Sequence, residues 1–173
     1  MEKTLSIQSI SVLAHLVILF LILGIPGLIS LVVVIVGKTN AILTLGIALV
    51  ASAPIYLFIL YSLLSAQIKI SPNTLTVKAG FYEVSIPRNS IEIEQIQRLD
   101  NLTDPSFRPK VRTNGIGLLI ANFGWFESPS SRQLFMVQTR DKDLVYIPAS
   151  TGVALILTPE SSIELMDALM TTE

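Results

Sequence analysis

Residues able to do chemistry are few in this chain, and each one invites a specific test. Gly37-Lys38-Thr39 has the letters that end a phosphate-cradling loop. Such a loop needs a glycine five positions before its Gly-Lys pair, a strand ahead and a helix behind, so that backbone N–H groups converge on a phosphate. Val32 occupies the glycine's place and both flanks are long apolar runs, so the stretch reads as a turn. Gly115 and Gly117 open like a dinucleotide fingerprint, but Ile120 stands where the third glycine belongs and no βαβ pattern surrounds them. Asn114-Gly115 then reads as a turn and Gly124 as a bulge.

Acid–base and metal chemistry find no better footing. Covalent catalysis needs a nucleophile beside a base that a third group orients. Serines are plentiful, yet the single histidine, His15, lies inside an apolar run with no Asp, Glu, Lys or Arg to relay its proton. It reads as a neutral histidine bonded to a neighbouring helix. With no cysteine in the chain, a metal site would have to be built from carboxylates. Glu92 and Glu94 alternate as the polar face of a half-buried strand would, and Asp141 and Asp143 bracket a solvated hairpin turn, Arg140-Asp141-Lys142-Asp143. The patterns predict no catalytic residue, no metal and no cofactor, and so a protein that is not an enzyme.

The elements that must hold these residues divide sharply along the chain. Between residues 10 and 66 the only charge is Lys38. Residues 10–36 would reach about 40 Å as helix, beyond the ~30 Å hydrocarbon core, and residues 41–66 are alike. Residues 1–66 therefore read as a two-helix transmembrane hairpin with its turn at 37–40. The first run is far longer than a signal-peptide core and a second follows at once, so it reads as a retained anchor. Pro26, between Gly24 and Gly27, and Pro54 are the expected kinks. Thr44, Ala48 and Ser52 recur at every fourth position, a small-residue stripe suited to helix packing against the first span or against a second membrane protein. Two spans return the chain to the side it left. Lys3, Lys69 and Lys78 near that side outnumber Lys38 in the turn, which places both termini in the cytoplasm.

From Gln67 onward the pattern turns to period two. "QIKI", "TLTVKAG", "YEVSIP", "SIEIEQI", "RQLFMVQT", "DLVYIP" and "GVALIL" predict about seven or eight strands of an antiparallel sheet over residues 67–157. Ser71-Pro72-Asn73 reads as a tight turn. At the C-terminal end Thr158 reads as a cap with Pro159 at the first helical position, and Ser161 with Glu164 offers a capping box one turn later. The helix is expected over about residues 159–171, with Ile163, Met166, Leu169 and Met170 as its apolar stripe.

Two N-terminal spans, "IKISPNTLTVKAGFYEVSIPRNSIEIEQI", "RTNGIGLLIANFGWFES" and "DLVYIPASTGVALILTPESSIELMDAL" together resemble the bacterial pleckstrin-homology-like domain proteins of the membrane-anchored kind. Thr158-Pro159-Glu160 is similar to the stretch that opens the closing helix in that family. Gly115, Gly117, Gly124 and Trp125 are similar to its glycine-punctuated approach to an aromatic strand. The resemblance implies an α+β membrane protein in which residues 67–173 form a PH-like antiparallel β-sandwich, or partly open barrel, of about seven strands capped by a C-terminal helix. It implies no shared enzyme activity. Eukaryotic relatives of the fold bind phosphoinositides through a basic loop between the first two strands. Here that loop is Ser-Pro-Asn, so that activity is not carried over.

A net charge of −1 offers no basic field for nucleic acid. The implied partners are the lipid bilayer itself and a protein, either a different one or a second copy of this chain. Phe123, Trp125 and Phe126 are the candidate partner-binding residues: an exposed Trp125 near a sheet edge would anchor an added peptide strand. Arg108, Lys110 and Arg112, with Arg98 nearby, are the candidate contacts for anionic lipid or another anion. The expected function is a non-catalytic, membrane-anchored interaction or scaffold domain at the inner face of a bacterial plasma membrane. The alternative is a lipid-headgroup or small-ligand receptor using the basic loop.

Overall fold

The computed structural model describes residues 2–37, 40–118 and 121–171. Lys38 and Thr39 of the expected turn, and Ile120, lie outside the described residues. In chain order the elements are β1 (Lys3–Ser6), α1 (Val12–Leu19), α2 (Ile25–Gly37), α3 (Ala41–Leu64), β2 (Gln67–Ile70), β3 (Thr74–Ala79), β4 (Tyr82–Pro87), β5 (Gln97–Leu99), β6 (Val111–Gly117), β7 (Asn122–Glu127), β8 (Gln133–Gln138), β9 (Leu144–Pro148), β10 (Val153–Leu157) and α4 (Ser162–Met170). They fall into two compact units. One is Ile10–Tyr61; the other joins the segment ending at Ser9 to the chain from Ser62 onward.

Among the described residues two helices are long and apolar enough to cross a membrane, His15–Gly37 and Ala41–Leu64; the last three residues of the second fall in the β-rich unit. Between α1 and α2 the turns widen into a π-helical stretch, Phe20–Gly24, in which the Ile25 N–H reaches the Phe20 carbonyl. Pro26 explains it. The proline has no N–H to donate and its ring crowds the carbonyl four residues back, and a wider turn relieves both problems without breaking the helix. α3 runs unbroken through Pro54. It starts at Asn40, whose Oδ1 accepts from the N–H groups of Ile42 (3.0 Å) and Leu43 (3.2 Å), as an N-cap does. Large apolar side chains cover the outside of the helical unit: Val12, Ile35, Ile42 and Val50 are each 70% or more exposed.

The β-rich unit has two sheets. Four strands in the order β1-β2-β3-β4 form one, and six in the order β5-β9-β10-β8-β7-β6 form the other. The ten strands among the described residues exceed the expected seven or eight because β1, β5 and β6 were not legible as strands. β1 pairs antiparallel with β2, Lys3 opposite Ile70, so the residues before the first span belong to the β-rich unit and not to the hairpin. The segment continues between the sheets. Ile7 bridges to Pro159, the Gln8 N–H donates to the Thr158 carbonyl and the Glu160 N–H to the Ser6 carbonyl.

"SIEIEQI" is not a strand. Two 3-10 turns, Arg88–Ser90 and Ile93–Gln95, replace it. Ile91 and Ile96 are buried while Ile93 is exposed, so the alternation in the letters does not describe one face of a sheet. Arg140–Asp143 is not a hairpin turn either. β10 inserts between β8 and β9, pairing parallel with β8 and antiparallel with β9, so the sheet is not wholly antiparallel.

Residues of both sheets share one core, including Ile68, Leu75, Phe123, Phe135, Ile147 and Leu155, closed by Leu165 and Leu169 of α4. A second core lies on the other face of the six-stranded sheet. There Leu134, Met136, Leu144 and Ile156 are covered by Leu102 and Phe107 of the β5–β6 loop. Strands buried on both faces need continuous apolar runs, which is why β8 to β10 read "LFMV", "LVYI" and "VALIL".

α4 begins at Ser162, later than expected, because Thr158 is committed elsewhere. Its hydroxyl lies 2.9 Å from that of Thr139 and also accepts the Thr139 N–H. Ser161 is the N-cap, accepting from the Glu164 N–H at 3.2 Å. Ser161→Ala is expected to cost about 1 kcal/mol, read as faster amide exchange in the first turn of α4. The buried stripe is Ser162, Leu165 and Leu169; Ile163 and Met170 point outward, contrary to expectation. At the other end the Arg88 guanidinium donates to the carbonyls of Ala168, Leu169 and Thr171, each at 3.1 Å, placing a cation at the negative end of the helix.

Candidate functional site

The six-stranded sheet ends at β6, which has β7 on one side and no strand on the other among the described residues. The loop before it is held from beneath. Phe107 sets its ring edge-on to Tyr146, centroids 5.0 Å apart, and Leu102 packs on the same outer core. Asp104 accepts the Ser106 N–H at 2.8 Å, and that bond holds its carboxyl below the usual range. With the apolar side chains turned in, Arg108, Lys110 and Arg112 are exposed. None of the three is in an ion pair among the described residues. Lys110 is fixed by its backbone N–H to the Glu127 carbonyl (2.9 Å) and by Nζ to the Pro129 carbonyl (3.3 Å). Arg98 does not join them. It sits on β5, the opposite edge of the sheet, bonded to Asp143, whose carboxyl that bond holds below its ordinary value.

The aromatic trio is divided between the two cores. Phe123 is fully buried in the inner core, and Phe126 lies in the outer one with only its rim reaching the cleft beside Trp125. Trp125 is half-buried, edge-on to Phe135 with centroids 5.0 Å apart. It lines a cleft of about 480 Å³ with Thr113, Asn114, Glu127, Arg132 and Gln133. The pairing of β6 with β7 slips between Arg112 and Asn114, leaving Thr113 as the extra residue of a bulge beside that cleft. Gly124 is not the bulge: it stays in register opposite Gly115.

The carboxylates singled out by spacing are engaged singly. Glu92 holds Arg132 at 3.3 Å, Asp141 accepts from Gln138 Nε2 at 2.6 Å, and Asp143 takes Arg98 and Arg140. Burial pushes the pKa of the Tyr146 hydroxyl up. Among the described residues no three His, Asp or Glu side chains come together as a metal site would require. His15 Nδ1 lies 3.4 Å from the Ser11 carbonyl of its own helical run, a local contact in place of the expected interhelical one. In the stripe on α3, Thr44 and Ser52 donate to carbonyls four residues back, at 3.0 and 2.7 Å, and Ser52 is buried. What the arrangement offers chemically is recognition: a free strand edge, an indole-lined cleft and three exposed cations.

Sequence reasoning missed two features beside Ser65. The Gly80 N–H donates to Ser65 Oγ at 2.9 Å, and Phe81 beside it is 74% exposed. The signal was present in "AGFY", a glycine turn that carries an aromatic at its tip.

No curated protein and no solved structure matches the chain. Residues 66–172 match the family described as Bacterial PH domain, and this span takes in both sheets apart from β1 and includes the capping helix. With that match covering more than half of its length, the chain belongs to the bacterial PH domain family.

Proposed function

We propose that this chain is a membrane-integrated, non-catalytic interaction protein that holds its PH domain at the inner face of a bacterial plasma membrane, with both termini cytoplasmic. There the domain binds an extended segment of a partner protein, or of a second copy, along β6. The β6 edge carries the proposal: it is open, it borders the Trp125 cleft and it is flanked by Arg108, Lys110 and Arg112. Strand addition supplies backbone hydrogen bonds, the cleft supplies one side-chain pocket, and the cations favour an acidic segment. Integration is supported by helices whose apolar side chains face outward, a surface that water does not tolerate.

The absence of cysteine makes Thr113→Cys a unique attachment point for a photo-crosslinker in native membranes. The expected result is a protein adduct, of one partner or of the dimer, that is lost when Lys110→Glu and Arg112→Glu are added. No protein adduct, together with a monomer in detergent, would refute the reading. Adducts to anionic lipid alone would instead favour a headgroup receptor, for which each reversed charge is expected to remove about 1 kcal/mol of attraction.

A further inference from the structure

We infer that the tip of the β3–β4 hairpin is a bilayer-contacting anchor, with Phe81 seated at the lipid–water boundary. The inference rests on the reading that α3 crosses a bilayer. Ala79 pairs with Tyr82, so Gly80 and Phe81 form a two-residue turn. Gly80 has φ +63°, the left-handed conformation such a turn needs. The turn is fastened to the end of α3. Its N–H donates to Ser65 Oγ, and a Cβ on Gly80 would lie 2.9 Å from the Ser62 Cα, so turn and helix are in backbone contact. Ser62 is fully buried by this approach.

That contact sets the depth of the tip. A membrane helix ending at Leu64 has its last turn at the headgroup layer, and whatever touches Ser62 shares that level. At that level the structure exposes two large apolar side chains, Leu64 at 77% and Phe81 at 74%. Aromatic side chains at this boundary are stabilised by an apolar body and a polarisable face, as in the aromatic belts of membrane proteins. The occupant is lipid because the tip packs on Ser62 and Ser65 at the end of α3, beside the outward apolar Leu64. Asn73 gives an internal contrast. It lies at the far end of β3, and a six-residue strand is about 20 Å long.

The full chain, with single cysteines Phe81→Cys, Asn73→Cys or Val50→Cys carrying an environment-sensitive fluorophore, is reconstituted into phosphatidylcholine–phosphatidylglycerol vesicles. Emission is quenched from the lipid side by a nitroxide near the headgroups and from the water side by iodide. The Val50 label, on an outward residue of α3, should be shielded from iodide. The Phe81 label should lose most of its emission to the nitroxide and little to iodide, and the Asn73 label the reverse. A shielded Val50 with Phe81 open to iodide overturns the anchor while leaving the span intact. Phe81 shielded from both quenchers also overturns it, since protein then covers the tip. A Val50 label open to iodide removes the span reading, and the anchor with it.

Discussion

Replacing Leu5 and Ile7 together by alanine is expected to bring the β-rich unit close to unfolding, although both residues precede the first long apolar helix. Each is buried to 8% exposure in the core shared by the two sheets. Truncating such a side chain costs about 2–5 kcal/mol in lost transfer energy and residual cavity. Both are slightly exposed, so the low end applies, and the pair should cost about 4 kcal/mol, close to the lower limit of a whole domain's stability. The loss reaches past two side chains, because the same segment bonds Thr158, Glu160 and Thr139 at the junction of the sheets. Trp125, the single tryptophan, packs on Phe135 and reports the transition by fluorescence in detergent, where the helices stay folded. A shift below about 1 kcal/mol would show that β1 is dispensable and its pairing with β2 incidental.

Gly124→Ala is the second change with a large expected effect, and it needs a control to be read. Gly124 has φ +97°, and a Cβ there would lie 2.6 Å from the Asn114 carbonyl oxygen and 2.8 Å from the Gly115 Cα, both rigid backbone. Gly152 also has a positive φ, +84°, but nothing lies within 4 Å of its added Cβ. Gly152→Ala should therefore show the conformational cost alone, about 1 kcal/mol. Gly124→Ala should cost about 3 kcal/mol or more, because β6 must also move away from β7. The crosslink from Thr113 should weaken in parallel, since the cleft beside it is shaped by that close approach. Equal costs at the two glycines would mean that β6 is not held tightly and cannot present a fixed edge.

How much of this was legible follows from what each pattern can encode. The two long apolar helices and the β-rich remainder were clear, because apolar composition and period-two alternation act over many residues. "SIEIEQI" misled because alternation records side-chain type and not backbone pairing; its two buried isoleucines are held by 3-10 turns. β6 was missed because "RTNGIG" has no apolar face: its strand is fixed by the neighbouring β7, and its glycines admit the close approach. β1 could have been found. Leu5 and Ile7 alternate with polar neighbours just ahead of the first span, a short signal overshadowed by the long apolar run behind it. Of the candidate site, Arg108, Lys110 and Arg112 are exposed, whereas Phe123 and Phe126 serve the cores. The burial of both faces of the sheet, which decides their fate, depends on a loop that the letters do not place.

Lys3 opposite Ile70 has a consequence for how the molecule is made. The first strand leaves the ribosome well before its partner exists, and both helices are translated in between. Closing so long a loop in solution carries an entropic cost that rises slowly with length. On the proposed reading that both helices cross a bilayer, their insertion as a pair returns the chain to the side it left and holds the two ends within reach. A polypeptide that inserted only one of them would leave strand and partner in different compartments, with an open sheet edge and a solvent-exposed seam. On that reading, the pairing of β1 with β2 requires both helices to be threaded, so a complete four-stranded sheet reports on correct insertion.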